Sequence, residues 1–208
     1  YLTEQESRLL QIYCDMYGVL VDFEAGIVKQ INDDLDMLQS LSTNGSLARV
    51  QKALASIGRE HIIIDDLRGK SNHQKAIRNY MYSRVGNDSS FWYHLPWMPG
   101  GRELWAFISP YKPHILTSPM QQGSEIGKAF WVDENLKPNL PDRVFMSREK
   151  YKWATDPQGR QNILIDDWSK NTIPWAKPPD GSPGGIAIQH VGGNTGATIA
   201  TLKELGFT

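Results

Sequence analysis

Five short apolar runs constrain this chain more than any other feature. Each is too brief for an ordinary helix. They are Leu9-Leu10-Gln11-Ile12-Tyr13-Cys14, His114-Ile115-Leu116-Thr117, Arg143-Val144-Phe145-Met146, Asn162-Ile163-Leu164-Ile165 and Gly185-Ile186-Ala187-Ile188-Gln189. They are near-continuous rather than alternating, as strands are when helices cover both faces of a sheet. Helical segments lie between several of them. The pattern predicts an α/β fold with a Rossmann-like, doubly wound parallel sheet. Sites in such sheets form at the carboxyl ends of strands. Polar residues follow the first four runs at that end: Asp15, Thr117-Ser118, Ser147-Arg148-Glu149-Lys150 and Asp166-Asp167.

The stretch from Asp22 to about Ser90 has a different rhythm. Phe23, Ile27, Val28, Ile31, Leu35 and Leu38 recur at helical spacing, as do Leu47, Val50, Leu54 and Ile57. A third helix is predicted from about Asn72 to Arg84. Ser42-Thr43-Asn44-Gly45 reads as a loop and Gly58 as a helix stop. The expected organisation is a core of residues 1–21 and 91–208, with residues 22–90 as a helical cap inserted after the first strand. The alternative is that these helices simply extend the core. The Pro- and Gly-rich stretch from Pro174 to Gly185 predicts an irregular loop, and Thr195 to Leu205 a closing helix capped by Gly206.

Composition narrows the function classes. Lys and Arg number 22 against 23 Asp and Glu, a net charge of -1. That balance excludes a strongly basic nucleic-acid binder, so no nucleic-acid polymer is expected as a partner. No apolar run approaches the roughly 18 residues of a membrane-spanning helix. The single cysteine, Cys14, excludes a disulfide framework and a cysteine-rich zinc site. The polar start Tyr1-Leu2-Thr3-Glu4-Gln5-Glu6 does not read as a signal peptide, and a cytoplasmic setting is the expectation. The oligomeric state stays open, a homodimer included.

The strand-end residues carry the chemistry. A carboxylate directly after a buried strand, as Asp15 is, is costly without a partner. Its bland reading is a turn cap. Thr117 and Ser118 can donate hydrogen bonds to an anion, or merely cap the next helix. Lys150 can neutralise a transferring phosphoryl group. The pair Asp166-Asp167 suits a hard cation such as Mg²⁺, which prefers oxygen ligands. The order of the set says more than any member of it.

That ordered set resembles the haloacid dehalogenase (HAD) superfamily of phosphotransferases, and more narrowly its 5'(3')-deoxyribonucleotidase branch. Asp15-Met16-Tyr17-Gly18-Val19-Leu20-Val21-Asp22-Phe23-Glu24 is similar to the branch's first motif, with one exception at residue 17. Phe91-Trp92 and Leu95-Pro96-Trp97-Met98-Pro99-Gly100 resemble its segment returning from cap to core. Ile115-Leu116-Thr117-Ser118-Pro119, Ser147-Arg148-Glu149-Lys150 and Ile163-Leu164-Ile165-Asp166-Asp167 resemble its later motifs.

The resemblance implies a Mg²⁺-dependent phosphomonoester hydrolase of the 5'-nucleotidase type, with a small phosphomonoester (nucleotide) as substrate. Asp15 would be the nucleophile, forming a phosphoaspartate. Thr117, Ser118 and Lys150 would hold phosphate oxygens. Lys152 is a rival for the lysine role, because Ala154 to Arg160 looks like an insert. Asp15, the backbone carbonyl of Tyr17 and Asp166 would hold Mg²⁺, and Asp167 would support them. Phe23, Phe91 and Trp92 would line the base pocket, although aromatic packing between cap and core explains them equally well.

The exception is Tyr17. Phosphatases of this family place a second Asp there, which protonates the leaving group and then deprotonates water. A tyrosine, with a pKa of about 10, is a poor base at neutral pH. Three readings follow: a phosphatase slowed at the phosphoaspartate, a pseudoenzyme that binds phosphate or nucleotide without turnover, and a 2-haloacid dehalogenase, whose family members carry Asp-x-Tyr-Gly and need no metal. The adjacent pair Asp166-Asp167 weighs against the last. Elsewhere, His61-Ile62-Ile63-Ile64-Asp65-Asp66 mimics the metal motif but reads as a cap turn. Arg84 and His73 are weaker candidates for contact with a phosphate or sugar.

Overall fold

All five apolar runs form strands of one sheet. The computed structural model describes residues 10–38 and 45–208, with Leu38 by its backbone alone. Leu9 and residues 42–44 of the expected loop lie outside the described residues. The strands are β1 (Ile12–Cys14), β2 (His114–Thr117), β3 (Val144–Met146), β4 (Ile163–Asp166) and β5 (Ile186–Gln189). Their order is β3-β2-β1-β4-β5, and every pairing is parallel. After β3 the chain crosses to the other side of β1. The carboxyl ends of β1 and β4 therefore meet where the winding reverses, the place where α/β sheets build their sites.

The helices in chain order are α1 (Phe23–Leu38), α2 (Ser46–Ala55), α3 (Asn72–Val85), α4 (Ser89–Tyr93), α5 (Gly101–Ile108), α6 (Gln122–Asn135), α7 (Ser169–Ala176) and α8 (Thr195–Glu204). The described chain divides into two compact units. One comprises residues 10–22, 97–119 and 129–208, and the other Phe23–Pro96 with Met120–Lys128.

The sheet belongs to the first unit. β1, β2 and β4 are buried throughout, as unbroken apolar strands must be when covered on both faces. Tyr13, Leu116, Leu164, Ala154 and Trp175 form one core cluster, with Phe145 and Trp153 packed against it. The expected loop from Pro174 starts later, because Pro174 lies inside α7. Proline past the first turn removes an N–H and crowds the carbonyl four residues back, and the helix ends two residues later at Ala176. At the end of α8, Gly206 has φ +97° and the Phe207 N–H closes onto the Leu202 carbonyl at 3.1 Å, a glycine stop of the expected kind.

The second unit is helical. Ile27, Ile31, Leu35, Val50, Leu54, Ile77 and Met81 form its buried faces. The carboxylate of buried Asp34 accepts hydrogen bonds from the Tyr80 hydroxyl at 2.7 Å and Arg84 Nε at 3.0 Å. The metal-motif mimic is a short 3-10 turn, Ile64–Leu67. Its Asp66 accepts from the Ile63 N–H at 2.8 Å and pairs with Arg59 at 2.6 Å. That carboxylate is occupied by the turn itself. Arg84 pairs with Asp34 and Asp88, and His73 faces Asp66, so both spend their polar groups inside this unit. Among the described residues no helix is long and apolar enough to cross a membrane.

Candidate active site

The site is built on the carboxyl ends of the two central strands. Asp15 follows β1, and its N–H continues the ladder to the Ile165 carbonyl at 2.9 Å. The residue is 7% exposed. Its Oδ1 accepts from the Met16 N–H at 2.8 Å and from Lys150 Nζ at 2.9 Å. Among the described residues no hydrogen bond or ion pair reaches Oδ2.

Asp166 ends β4 and is fully buried. Lys150 Nζ donates to its Oδ2 at 2.6 Å. The Trp168 N–H donates to Oδ1 at 2.9 Å, and Asn171 Nδ2 spans both oxygens at 3.1 and 3.0 Å. Lys150 lies at the start of a 3-10 turn, Lys150–Trp153, and is 1% exposed. Lys152 sits in the same turn but is exposed and pairs with Glu149 at 2.5 Å. The structure therefore places Lys150, and not Lys152, between the two carboxylates.

Asp167 completes the cluster. Carboxylate oxygens of Asp15, Asp166 and Asp167 all lie within 4.8 Å of one another. Asp167 is exposed as a residue, yet its carboxylate lies against Gly18, where an added Cβ would come within 2.2 Å of Oδ2. Gly18 also has φ +71°, which favours glycine in any case. The first motif thus needs glycine here twice over.

Charge explains the electrostatics. One ammonium faces three carboxylates. Burial raises the Asp166 carboxyl to about 6, and the neighbouring Asp15 charge adds to this while Lys150 opposes it. Burial of its carboxyl, then Asp15 and Asp166, raise Asp167 to about 7. Burial alone would lower Lys150, but Asp15 and Asp166 outweigh it, so the ammonium is held firmly charged. The surplus of negative charge and the all-oxygen donor set fit a hard divalent cation.

Tyr17 is half-buried with a buried hydroxyl. Burial, then Asp15, push its phenol well above the usual value, so it keeps its proton. Thr117 is fully buried at the end of β2, at the same edge of the sheet. Ser118 Oγ donates to the Ser147 carbonyl at 3.2 Å, and the Ser147 N–H to the Thr117 carbonyl at 2.9 Å. Cys14 is buried, and its Sγ contacts the Asp15 carbonyl at 3.3 Å.

Phe23, Phe91 and Trp92 belong to the helical unit and pack together. Phe23 and Trp92 stack at 5.3 Å between ring centroids, and Phe91 meets Trp92 edge-on at 5.3 Å. The Trp92 indole donates to the Val85 carbonyl at 2.6 Å and is 2% exposed. Phe91 lines a cavity of about 560 Å³ within that unit.

Two contributors escaped the sequence reading. Asn171 grips Asp166 from the first turn of α7, and its signal is faint: an amide five residues past a strand-end Asp. Gly18 is legible only as part of a motif, because its close approach to Asp167 arises from the fold.

No protein-family model matches the chain, and no curated protein matches its sequence. Solved structures similar to it are HAD-like hydrolases. A haloacid dehalogenase-like family hydrolase from Streptococcus pneumoniae is 15% identical, with 94% of this chain and 99% of that chain covered, at a TM-score of 0.43. A hydrolase from Streptococcus pneumoniae TIGR4 is 10% identical over 95% and 98%, at a TM-score of 0.46. L-2-haloacid dehalogenase from Xanthobacter autotrophicus is 13% identical over 79% and 72%, at a TM-score of 0.43. These likenesses concern the path of the chain and not its chemistry.

Proposed function

We propose that the protein is a HAD-type phosphomonoester hydrolase of the 5'-nucleotidase kind, with Asp15 as nucleophile and a second half-reaction slowed by Tyr17. The observation that carries this reading is the cluster in which one buried ammonium, Lys150, faces the carboxylates of Asp15, Asp166 and Asp167. The nucleotide as substrate is supported by the sequence motifs alone.

Asp15 Oδ2 would attack phosphorus as the ester P–O bond breaks, and the departing oxygen takes its proton from solvent water. Lys150 holds Asp15 Oδ1 and so orients the free oxygen. Thr117, Ser118 and Lys150 would stabilise the equatorial oxygens. Asp15, the Tyr17 carbonyl and Asp166 would hold Mg²⁺, with Asp167 behind them, and the bound ion would offset phosphoryl charge. Water must then attack the phosphoaspartate and lose a proton. Tyr17 keeps its own proton and accepts none, so this step lacks its base.

The metal-free dehalogenase reading is disfavoured by the same cluster, because halide displacement by Asp15 needs no pair of carboxylates beside it. The deciding experiment is an assay against a panel of nucleoside monophosphates with and without Mg²⁺, beside a 2-haloacid control. Mg²⁺-dependent phosphate release, however slow, supports the proposal. Halide release without metal overturns it, and tight phosphate binding with no phosphoryl transfer favours the pseudoenzyme.

A further inference from the structure

Gln189 reaches the Asp15 site indirectly. It ends β5, and the parallel register sets it opposite Asp166, the last residue of β4. The main chain ties the two strand ends together, because the His190 N–H donates to the Asp166 carbonyl at 2.9 Å. Both side chains meet the first turns of α7, Asp166 through Asn171 and Gln189 through Thr172.

The Gln189 amide acts in two directions. Its Nε2 donates to the Asp167 carbonyl, and its Oε1 accepts from the Thr172 hydroxyl at 2.6 Å. The Asp167 carbonyl belongs to the peptide unit whose other end is the Trp168 N–H. That N–H donates to Asp166 Oδ1 at 2.9 Å. A peptide unit is planar and stiff, so this one is held at both ends, by Gln189 at its oxygen and by Asp166 at its N–H. Hydrogen bonds in such a chain polarise one another, so the bond from Gln189 strengthens the bond to Asp166.

α7 closes the circuit. Asn171, next to Thr172 in the chain, spans both oxygens of Asp166 at 3.1 and 3.0 Å. The N–H groups of Asn171 and Thr172 both donate to the Trp168 carbonyl, at 2.8 and 3.2 Å. Asn171 and Thr172 are buried. A ring of hydrogen bonds therefore runs from Asp166 through Trp168, Asp167, Gln189, Thr172 and Asn171 back to Asp166. Mg²⁺ demands near-ideal octahedral geometry, whereas Ca²⁺ accepts flexible arrangements of oxygen ligands. A carboxylate locked in this way suits the more demanding ion.

We propose that Gln189, held by Thr172, is a positioning residue that fixes the angle of the Asp166 carboxylate and so favours Mg²⁺ over Ca²⁺ at the Asp15 site. The inference rests on the metal-dependent reading of that site and extends it to two residues outside the carboxylate cluster.

Calorimetric titration of the chelator-stripped protein with Mg²⁺ and with Ca²⁺, without substrate, tests it. The wild type should bind Mg²⁺ in a titration that Asp15→Asn abolishes. Gln189→Met keeps the reach of the side chain and removes the amide, and because Gln189 is exposed it leaves the core intact. It should raise the Mg²⁺ Kd about fivefold, the usual effect of losing one neutral hydrogen bond. The Ca²⁺ Kd should rise by less than about twofold, since that ion tolerates a looser ligand. Thr172→Val should shift Mg²⁺ in the same direction, and Thr172→Ser, which keeps the hydroxyl, should match the wild type. Combining Gln189→Met with Thr172→Val should weaken Mg²⁺ little beyond either change alone, because the two residues act as one unit. Equal losses for the two ions, an unchanged Mg²⁺ Kd in Gln189→Met, additive losses in the double variant, or a Thr172→Ser protein that behaves like Thr172→Val would overturn the proposal and leave the metal-dependent reading standing. A wild type that binds no Mg²⁺, or a signal that survives in Asp15→Asn, would overturn both.

Discussion

Replacing Lys150 by methionine isolates the charge at the centre of the site. The lysine is 1% exposed and lies 2.9 Å from Asp15 Oδ1 and 2.6 Å from Asp166 Oδ2. Methionine keeps most of the volume and removes the ammonium, so three clustered carboxylates are left with no cation. Breaking a buried ion pair on one side costs about 3–5 kcal/mol. The loss must depend on pH. Burial, with the neighbouring carboxylates, holds Asp166 at about 6 and Asp167 at about 7, above the ordinary 3.8 of an unfolded aspartate. An acid raised in this way favours the folded state below its unfolded pKa, and the advantage is lost as pH rises through the folded pKa. Lys150 itself is raised above 10.5, so its contribution persists through this whole window. Urea unfolding in the presence of a chelator should therefore show the variant losing about 3–5 kcal/mol at pH 8 and clearly less at pH 5. Adding Mg²⁺ should recover part of the loss at pH 8. An equal loss at both pH values, or none at pH 8, would refute the charge argument.

Three further outcomes follow from the same geometry. Tyr17→Asp should raise phosphomonoester turnover, by up to about 10²–10⁴-fold if proton transfer limits the rate; no gain with Mg²⁺ bound would remove the account of Tyr17. Gly18→Ala puts a Cβ 2.2 Å from Asp167 Oδ2 at φ +71°, and should lower both the melting temperature and Mg²⁺ affinity, as read by calorimetry. Lys152→Ala should leave turnover unchanged, because that ammonium pairs with exposed Glu149; a large loss would reopen the choice between the two lysines.

Much of this architecture is legible in the sequence because buried parallel strands leave a strong signature. His114–Thr117 is the strand that the apolar run marks, and Asp15 and Asp166 stand where polar residues follow such runs. Less was legible where long-range packing decides. The compact units divide at Pro96 and Trp97 and take Met120–Lys128 into the helical unit, whereas the aromatic pair Phe91-Trp92 suggested a return to the core at residue 91. Nothing local reveals that. Lys150 and Lys152 lie two residues apart, and only the pitch of the 3-10 turn turns one inward and the other to solvent.

The most direct test of the central claim is intact-mass analysis after brief exposure to a reactive phosphomonoester. The account predicts one added phosphoryl group on the wild-type protein with Mg²⁺, far less with chelator, and none on Asp15→Asn. A wild-type protein that takes up no phosphoryl group and releases no phosphate with Mg²⁺ present, or a label that survives in Asp15→Asn, would contradict it.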